Sequence, residues 1–249
     1  MQHSGEVAPS NRLAQAAVPS GARPGAWTLL GGAGTFVIML VALYAAFLYA
    51  PGEAVQGNVQ RIFYVHLSLA WLSYLAFFVV VAGSVGYLWR RTRRWDHLAR
   101  ASAEIGVLFT TLFIATGSIW ARPVWGVWWT WDARLTTSLV LWFIYVGYLM
   151  LRGAIGDRER AARAAAVVGV LGFVDVPISF LSVTWWRTVH PPATTVIREA
   201  GPGMPTEMLT TLLLMLAAFT ILYVFLLRFR ILLEGLRDAV WELERDRTS

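Results

Sequence analysis

The sequence predicts an all-α integral membrane protein, a bundle of six transmembrane helices with a Trp-rich periplasmic segment between helices 3 and 4. Three observations carry this expectation. The 249-residue chain is 57% hydrophobic and only 14% charged, whereas a soluble domain carries about a quarter charged residues. Six apolar runs approach or exceed the ~20 helical residues that cross a hydrocarbon core. Sixteen of the 21 arginines sit in alternate connections between those runs, the asymmetry that marks the cytoplasmic side of a membrane protein.

The elements follow in order. Residues 1–25 are rich in Ala, Pro, Ser and Gly without periodicity and read as a disordered cytoplasmic tail. Residues 26–230 form the membrane domain, with spans near 27–49, 64–89, 101–120, 135–151, 164–186 and 207–227. The first run is longer than the apolar core of a signal peptide, so it reads as a retained span. The fourth is the shortest and draws on the preceding loop. Residues 231–249 carry Leu232, Leu236, Val240 and Leu243 at helical spacing among alternating charges, an amphipathic cytoplasmic helix. Packing on the membrane surface, docking on a partner helix and plain continuation of the sixth span all accommodate it.

Charge sets orientation. The tail, the 90–100 loop, the 152–163 loop and the segment after 227 hold the sixteen arginines; Arg61, Arg122, Arg134, Arg187 and Arg198 lie in the other loops. Both termini are therefore expected in the cytoplasm of a bacterial cell, the chain spanning its inner membrane. The loops near 50–63 and 187–206 face outward with the Trp-rich segment (residues 120–136). The pI near 10.2 reflects this topology, and dispersed arginines in an apolar multispan chain argue against nucleic acid as a partner. Cysteine is absent, which excludes disulfides, thiolate–zinc sites, iron–sulfur clusters and a C-x-x-C-H attachment site.

Four histidines are candidates for chemistry. His3 lies in the tail. His97 follows R-R-T-R-R-W-D in an arginine-rich loop, where a solvated or headgroup role is expected. His66, near the outer end of span two, and His190, just past the outer end of span five, share the side of the Trp-rich segment. A lone interfacial histidine is usually only a hydrogen-bonded side chain. Two at one depth beside an aromatic surface suit iron ligation, and their sequence separation argues against a local zinc motif.

The aromatic surface is W-G-V-W-W-T-W-D-A-R-L-T, Trp125 to Thr136, preceded by Trp120. Trp125, Trp128 and Trp129 follow i, i+3, i+4 spacing, which predicts a short helix opened by Pro123 with the three rings on one face and Trp131 elsewhere. A membrane-interface belt is the plain alternative, though belts scatter tryptophans rather than pack four into seven residues. Arg134 and Arg122 flank this surface, while Arg61 and Arg187 lie near the histidines. Guanidinium groups suit carboxylates such as propionates, or equally lipid headgroups. Asp132 is expected to orient Arg134 or an indole N–H. Asp175, with Pro177, lies within span five and is either a functional acid or part of a helix kink. Glu104 reads as reaching the membrane interface.

These residues resemble the cytochrome c maturation protein C family, the bacterial heme exporter protein C, over about residues 27–230. The landmarks are Y-V-H at Tyr64–His66, the tryptophan segment, D-V-P-I at Asp175–Ile178 and W-W-R-T-V-H-P at Trp185–Pro191. The tryptophan segment is the "WWD" signature shared with larger heme lyases of the same pathway; L-S after His66 departs from the V-P of many relatives. The resemblance implies that His66 and His190 are axial ligands to non-covalent heme b. Trp120, Trp125, Trp128, Trp129, Trp131, Asp132 and Arg134 would form a platform along the macrocycle, with Arg61, Arg122 and Arg187 as propionate contacts. It implies delivery of heme to a periplasmic heme chaperone rather than an enzyme with catalytic residues of its own, with assistance to covalent attachment on the chaperone left open. The implied partners are the chaperone, a small single-span protein, ATP-binding-cassette transporter subunits and the lipid membrane. The alternatives are a heme-ligating synthase subunit, which needs a large periplasmic domain or additional subunits; a transmembrane heme transporter, which needs a polar midplane path; and a quinone-linked cytochrome b subunit, which needs histidine pairs inside spans.

Overall fold

A computed structural model describes residues 25–190 and 204–248. The tail expected to be disordered, with His3, and the segment 191–203, with Arg198, lie outside the described residues. Among the described residues, six helices are long and apolar enough to cross a membrane: Ala26–Tyr49, Asn58–Arg90, Arg93–Trp125, Ala133–Ala154, Arg158–Trp185 and Thr206–Arg245. We label the α-helical parts α1 (Ala26–Tyr44), α2 (Ile62–Arg90), α3 (Arg93–Trp125), α4 (Ala133–Ala154), α5 (Arg158–Gly172), α6 (Asp175–Trp185) and α7 (Thr206–Thr248).

The antiparallel pair α2 and α3 forms the centre. Small residues let the two backbones approach closely, as in membrane helix packing generally: a Cβ at Gly106 would stand 2.7 Å from the Phe77 ring. One core lies on the α1 and α7 side, with Ala46, Tyr64, Leu72, Phe109 and Met215. A second lies toward α4, α5 and α6, with Phe77, Leu141, Tyr145, Ala165 and Val176. Phe77 and Tyr145 stack there at 3.8 Å between ring centroids. Large apolar side chains such as Phe36, Phe78, Phe143 and Leu213 point outward, which in water would be a liability and in lipid is a solvated surface.

Span five is broken. Phe173 and Val174 form a turn between α5 and α6, and Pro177 in the first turn of α6 supplies no N–H to the preceding helix. Asp175 therefore opens α6 at the bend, and one of its carboxylate oxygens, Oδ2, is buried with no hydrogen-bond partner among the described residues.

The arginine-rich segments gather at one end. Arg152 of α4 makes a bidentate pair with Asp96 of α3 at 2.6 and 2.7 Å. The extension of α7 docks there through its acids: Glu234 meets Arg100 at 2.9 Å, and Asp238 meets Arg158 at 2.6 Å. The C-terminal helix is thus a continuation of the sixth span, with its acids set against α3 and α5. His97 is not solvated as expected, because Asp238 takes its Nε2 at 2.9 Å and leaves its side chain 16% exposed. Glu104 turns inward to Arg230 of α7 rather than out to the interface.

Candidate functional site

The opposite end holds His66, His190 and the Trp-rich segment. His66 lies in the second turn of α2, facing α3. It stacks on Phe113 at 4.7 Å and meets Trp120 edge-on at 5.6 Å. Its Nδ1 lies 3.1 Å from Thr116 Oγ1, and that hydroxyl already donates its only proton to the Leu112 and Phe113 carbonyls, at 2.8 and 3.1 Å. Thr116 can therefore only accept from His66. The proton therefore sits on Nδ1, and among the described residues Nε2 has no hydrogen-bond partner. Gly117 gives the ring its room, since a Cβ there would stand 2.9 Å from His66 Cε1.

Trp120 is held from the other side. Its Nε1 donates to Gln56 Oε1 at 2.9 Å, which ties the loop between the first two spans to the site. Glu53 shapes that loop by accepting the Gln56 and Val55 backbone N–H groups at 2.6 and 2.9 Å. The same two N–H groups, Gln56 first, hold its carboxyl below the ordinary carboxylate range.

Helix α3 ends one turn beyond Trp120, and the predicted short tryptophan helix does not form. Gly126 adopts the left-handed conformation (φ 76°) and donates its N–H to the Arg122 carbonyl, a glycine-dependent helix stop. Pro123 lies within this last turn of α3 rather than opening a new helix. Residues 127–132 run on as irregular chain, so the tryptophans do not share one helical face. Trp125, Trp128 and Trp131 are exposed. Trp129 is half-buried and meets Trp131 edge-on at 5.6 Å, and its buried Nε1 has no hydrogen-bond partner among the described residues.

Asp132 caps α4, accepting the Leu135 N–H at 3.0 Å, the arrangement a helix N-terminus favours. Its other oxygen, Oδ2, lies 3.3 Å from His190 Nδ1. Neither Arg134 nor an indole N–H is its partner, because Arg134 turns to the Ser179 and Phe180 carbonyls at 3.1 and 3.2 Å and sits over the Tyr74 ring. Burial alone would raise the Asp132 carboxyl; the Leu135 N–H, His190 and the Thr188 hydroxyl outweigh it and hold it below its usual value. His190 meets Trp125 edge-on at 5.1 Å. Burial pushes its imidazole below the usual histidine value, against the opposing pull of Asp132. With Asp132 as the acceptor, the His190 proton lies on Nδ1, and among the described residues Nε2 has no hydrogen-bond partner.

The other predicted cations divide. Arg61 donates to the Ala46 carbonyl at 2.8 Å and to Asn58 at 3.1 Å, bracing the end of the first span. Arg122 donates to the Gly126 carbonyl. Arg187 is exposed, three residues before His190. Sequence reasoning missed Phe113, Thr116, Gly117, Gln56 and Thr188 as parts of the site. The first three fall with Trp120 at i, i+3, i+4, i+7 along one face of α3, which is the signal that marks them.

The fold and site define a polytopic membrane protein that presents two imidazoles, each fixed through Nδ1, beside a cluster of tryptophans at one end of a helical bundle. The sequence profile of the family described as heme exporter protein C matches residues 14–246. The chain is 43% identical over 192 residues to heme exporter protein C of Bradyrhizobium diazoefficiens, covering 77% of this chain and 72% of that protein. It is 39% identical over 206 residues to heme exporter protein C of Haemophilus influenzae, covering 82% of each. A putative cytochrome c biosynthesis ccmC-like mitochondrial protein of Arabidopsis thaliana is 32% identical over 195 residues, 78% of this chain and 73% of that protein. The chain belongs to the heme exporter protein C family.

Proposed function

We propose that this chain holds heme b non-covalently between His66 and His190 at the periplasmic face of the bacterial inner membrane and delivers it to a periplasmic heme chaperone for c-type cytochrome maturation. One observation carries this reading: both imidazoles engage Nδ1 with an acceptor and leave Nε2 free, the state in which histidine ligates iron. Heme, when bound, supplies an iron that takes two nitrogens and a flat apolar surface that takes aromatic rings. The residues present fit it. Gly117 lets the His66 ring lie close against α3, and Trp125, Trp128 and Trp131 offer exposed aromatic faces whose apolar burial favours a planar ligand.

The chain's own residues divide the work. Thr116 and Asp132 orient the imidazoles. Trp120, pinned by Gln56, and the 125–131 segment border the space between them. Arg187 provides an exposed cation for propionates, joined by Arg122 through the donors it does not spend on the Gly126 carbonyl, whereas Arg61 and Arg134 hold backbone carbonyls and keep the helix ends in place. In this orientation both termini are cytoplasmic and the ion-paired extension of α7 lies on the cytoplasmic side. The partners on this reading are the heme chaperone, a small single-span protein and ATP-binding-cassette transporter subunits.

Co-expression with a heme chaperone tests delivery. Wild type is expected to yield covalent heme–chaperone adduct, and His66→Ala or His190→Ala to abolish it at equal expression. Undiminished adduct from both variants would contradict the reading.

A further inference from the structure

The two imidazoles differ in what holds them. His66 faces neutral acceptors: the Thr116 hydroxyl at its Nδ1, which spends its own proton on backbone carbonyls, and the Phe113 backbone carbonyl. His190 Nδ1 faces a carboxylate, Asp132, at 3.3 Å, with the Thr188 hydroxyl at the same distance. That carboxylate is sheltered, with its side chain 9% exposed and that of His190 21%, so water and salt screen it little. It is also held in place. One oxygen caps α4 through the Leu135 N–H, and Thr130 Oγ1 reaches the other at 3.3 Å. Among the described residues no arginine pairs with Asp132, since Arg134, two positions on, is committed to the Ser179 and Phe180 carbonyls.

A carboxylate accepting from Nδ1–H draws that proton toward itself and pushes electron density onto Nε2, making the ligating nitrogen more basic. A hydroxyl that is already donating elsewhere does so much less. From this geometry we infer that Asp132 is a positioning residue that makes His190 the stronger-donating axial ligand and leaves His66 the weaker one. The inference rests on the heme reading above and deepens it. A more strongly donating ligand favours ferric over ferrous iron, and the weaker bond, to His66, is the one an incoming ligand displaces first.

The test uses the purified full-length protein loaded with hemin, its absorption spectrum and its midpoint potential. Asp132→Asn keeps the size and the helix cap, because Asn caps as well as Asp, and removes the charge. Thr116→Val removes the neutral acceptor of His66. The expectation for Asp132→Asn is a positive shift in midpoint potential and a loss of heme affinity of about tenfold or more, with a smaller potential shift in Thr116→Val. Should Asp132→Asn lose one ligand outright, its five-coordinate spectrum is expected to match that of His190→Gly and not that of His66→Gly. An unchanged potential in Asp132→Asn, an equal or larger shift in Thr116→Val, or a match to His66→Gly would overturn the inference while leaving the heme reading intact. A wild-type protein with no two-imidazole heme would overturn the reading itself.

Discussion

Gly117 lies flat against the His66 imidazole, so close that a single methyl group there would stand 2.9 Å from Cε1. Phe113 stacks on the same ring and Thr116 takes its Nδ1, leaving it little freedom to move aside. Gly117→Ala is therefore expected to displace the ring and weaken iron ligation while the bundle still folds, since Ala is the better helix former. The check is the heme spectrum set beside thermal unfolding: lost low-spin absorbance with an unchanged midpoint temperature is the expected pair.

At the other end of the bundle, Arg152 and Asp96 form a two-pronged pair with the arginine side chain only 9% exposed. Removing one partner of a buried pair leaves an uncompensated charge and costs about 3–5 kcal/mol. Asp96→Ala should lower thermal stability in detergent by that order. Asp157→Ala, which removes the α5 cap to the Arg160 N–H, should cost about 1 kcal/mol. Equal effects from the two would mean that the pair contributes nothing beyond a surface contact.

Orientation has its own test. A reporter fused after residue 157 is expected to report cytoplasm, and one placed between 187 and 206 to report periplasm. The reverse pattern would set both histidines on the ATP side and remove the basis for presenting heme outward.

Much of this arrangement was legible in the sequence because it depends on length and apolarity alone. Six spans follow from six apolar runs, and alternation puts His66, His190 and Trp125 at one end. The local geometry was less visible. The i, i+3, i+4 spacing of Trp125, Trp128 and Trp129 counts as helix only if the backbone continues, and Gly126 stops it. Thr116 and Gly117 read as ordinary packing in an apolar span until His66 is seen against them. The sequence suggests that Asp132 orients Arg134 or an indole N–H, but at the start of α4 Asp132 and Arg134 point apart, one to His190 and the other to α6. The acids of the α7 extension give no sign of their partners in the sequence, because those partners, on α3 and α5, are remote along the chain.

The tryptophans admit two readings with different consequences. If they form a heme platform, each Trp→Ala change should reduce heme retention and leave axial ligation intact; truncating a fully buried aromatic costs about 3–5 kcal/mol in a core, and less in an open groove. Replacing Trp125, Trp128, Trp129 and Trp131 together by Leu should abolish transfer to the chaperone. Normal adduct yield from that quadruple variant, at equal expression, would reduce the segment to a membrane-interface belt.

The absorption spectrum of the purified protein bears most directly on the central claim of ligation by His66 and His190. Wild type is expected to carry heme b with a six-coordinate, low-spin spectrum. His66→Ala and His190→Ala should each weaken binding or change the coordination state, and His97→Ala, whose ring is paired with Asp238 at the far end, should change neither. The double variant His66→Ala/His190→Ala should lose the low-spin spectrum altogether; a wild-type spectrum from that double variant would contradict the account.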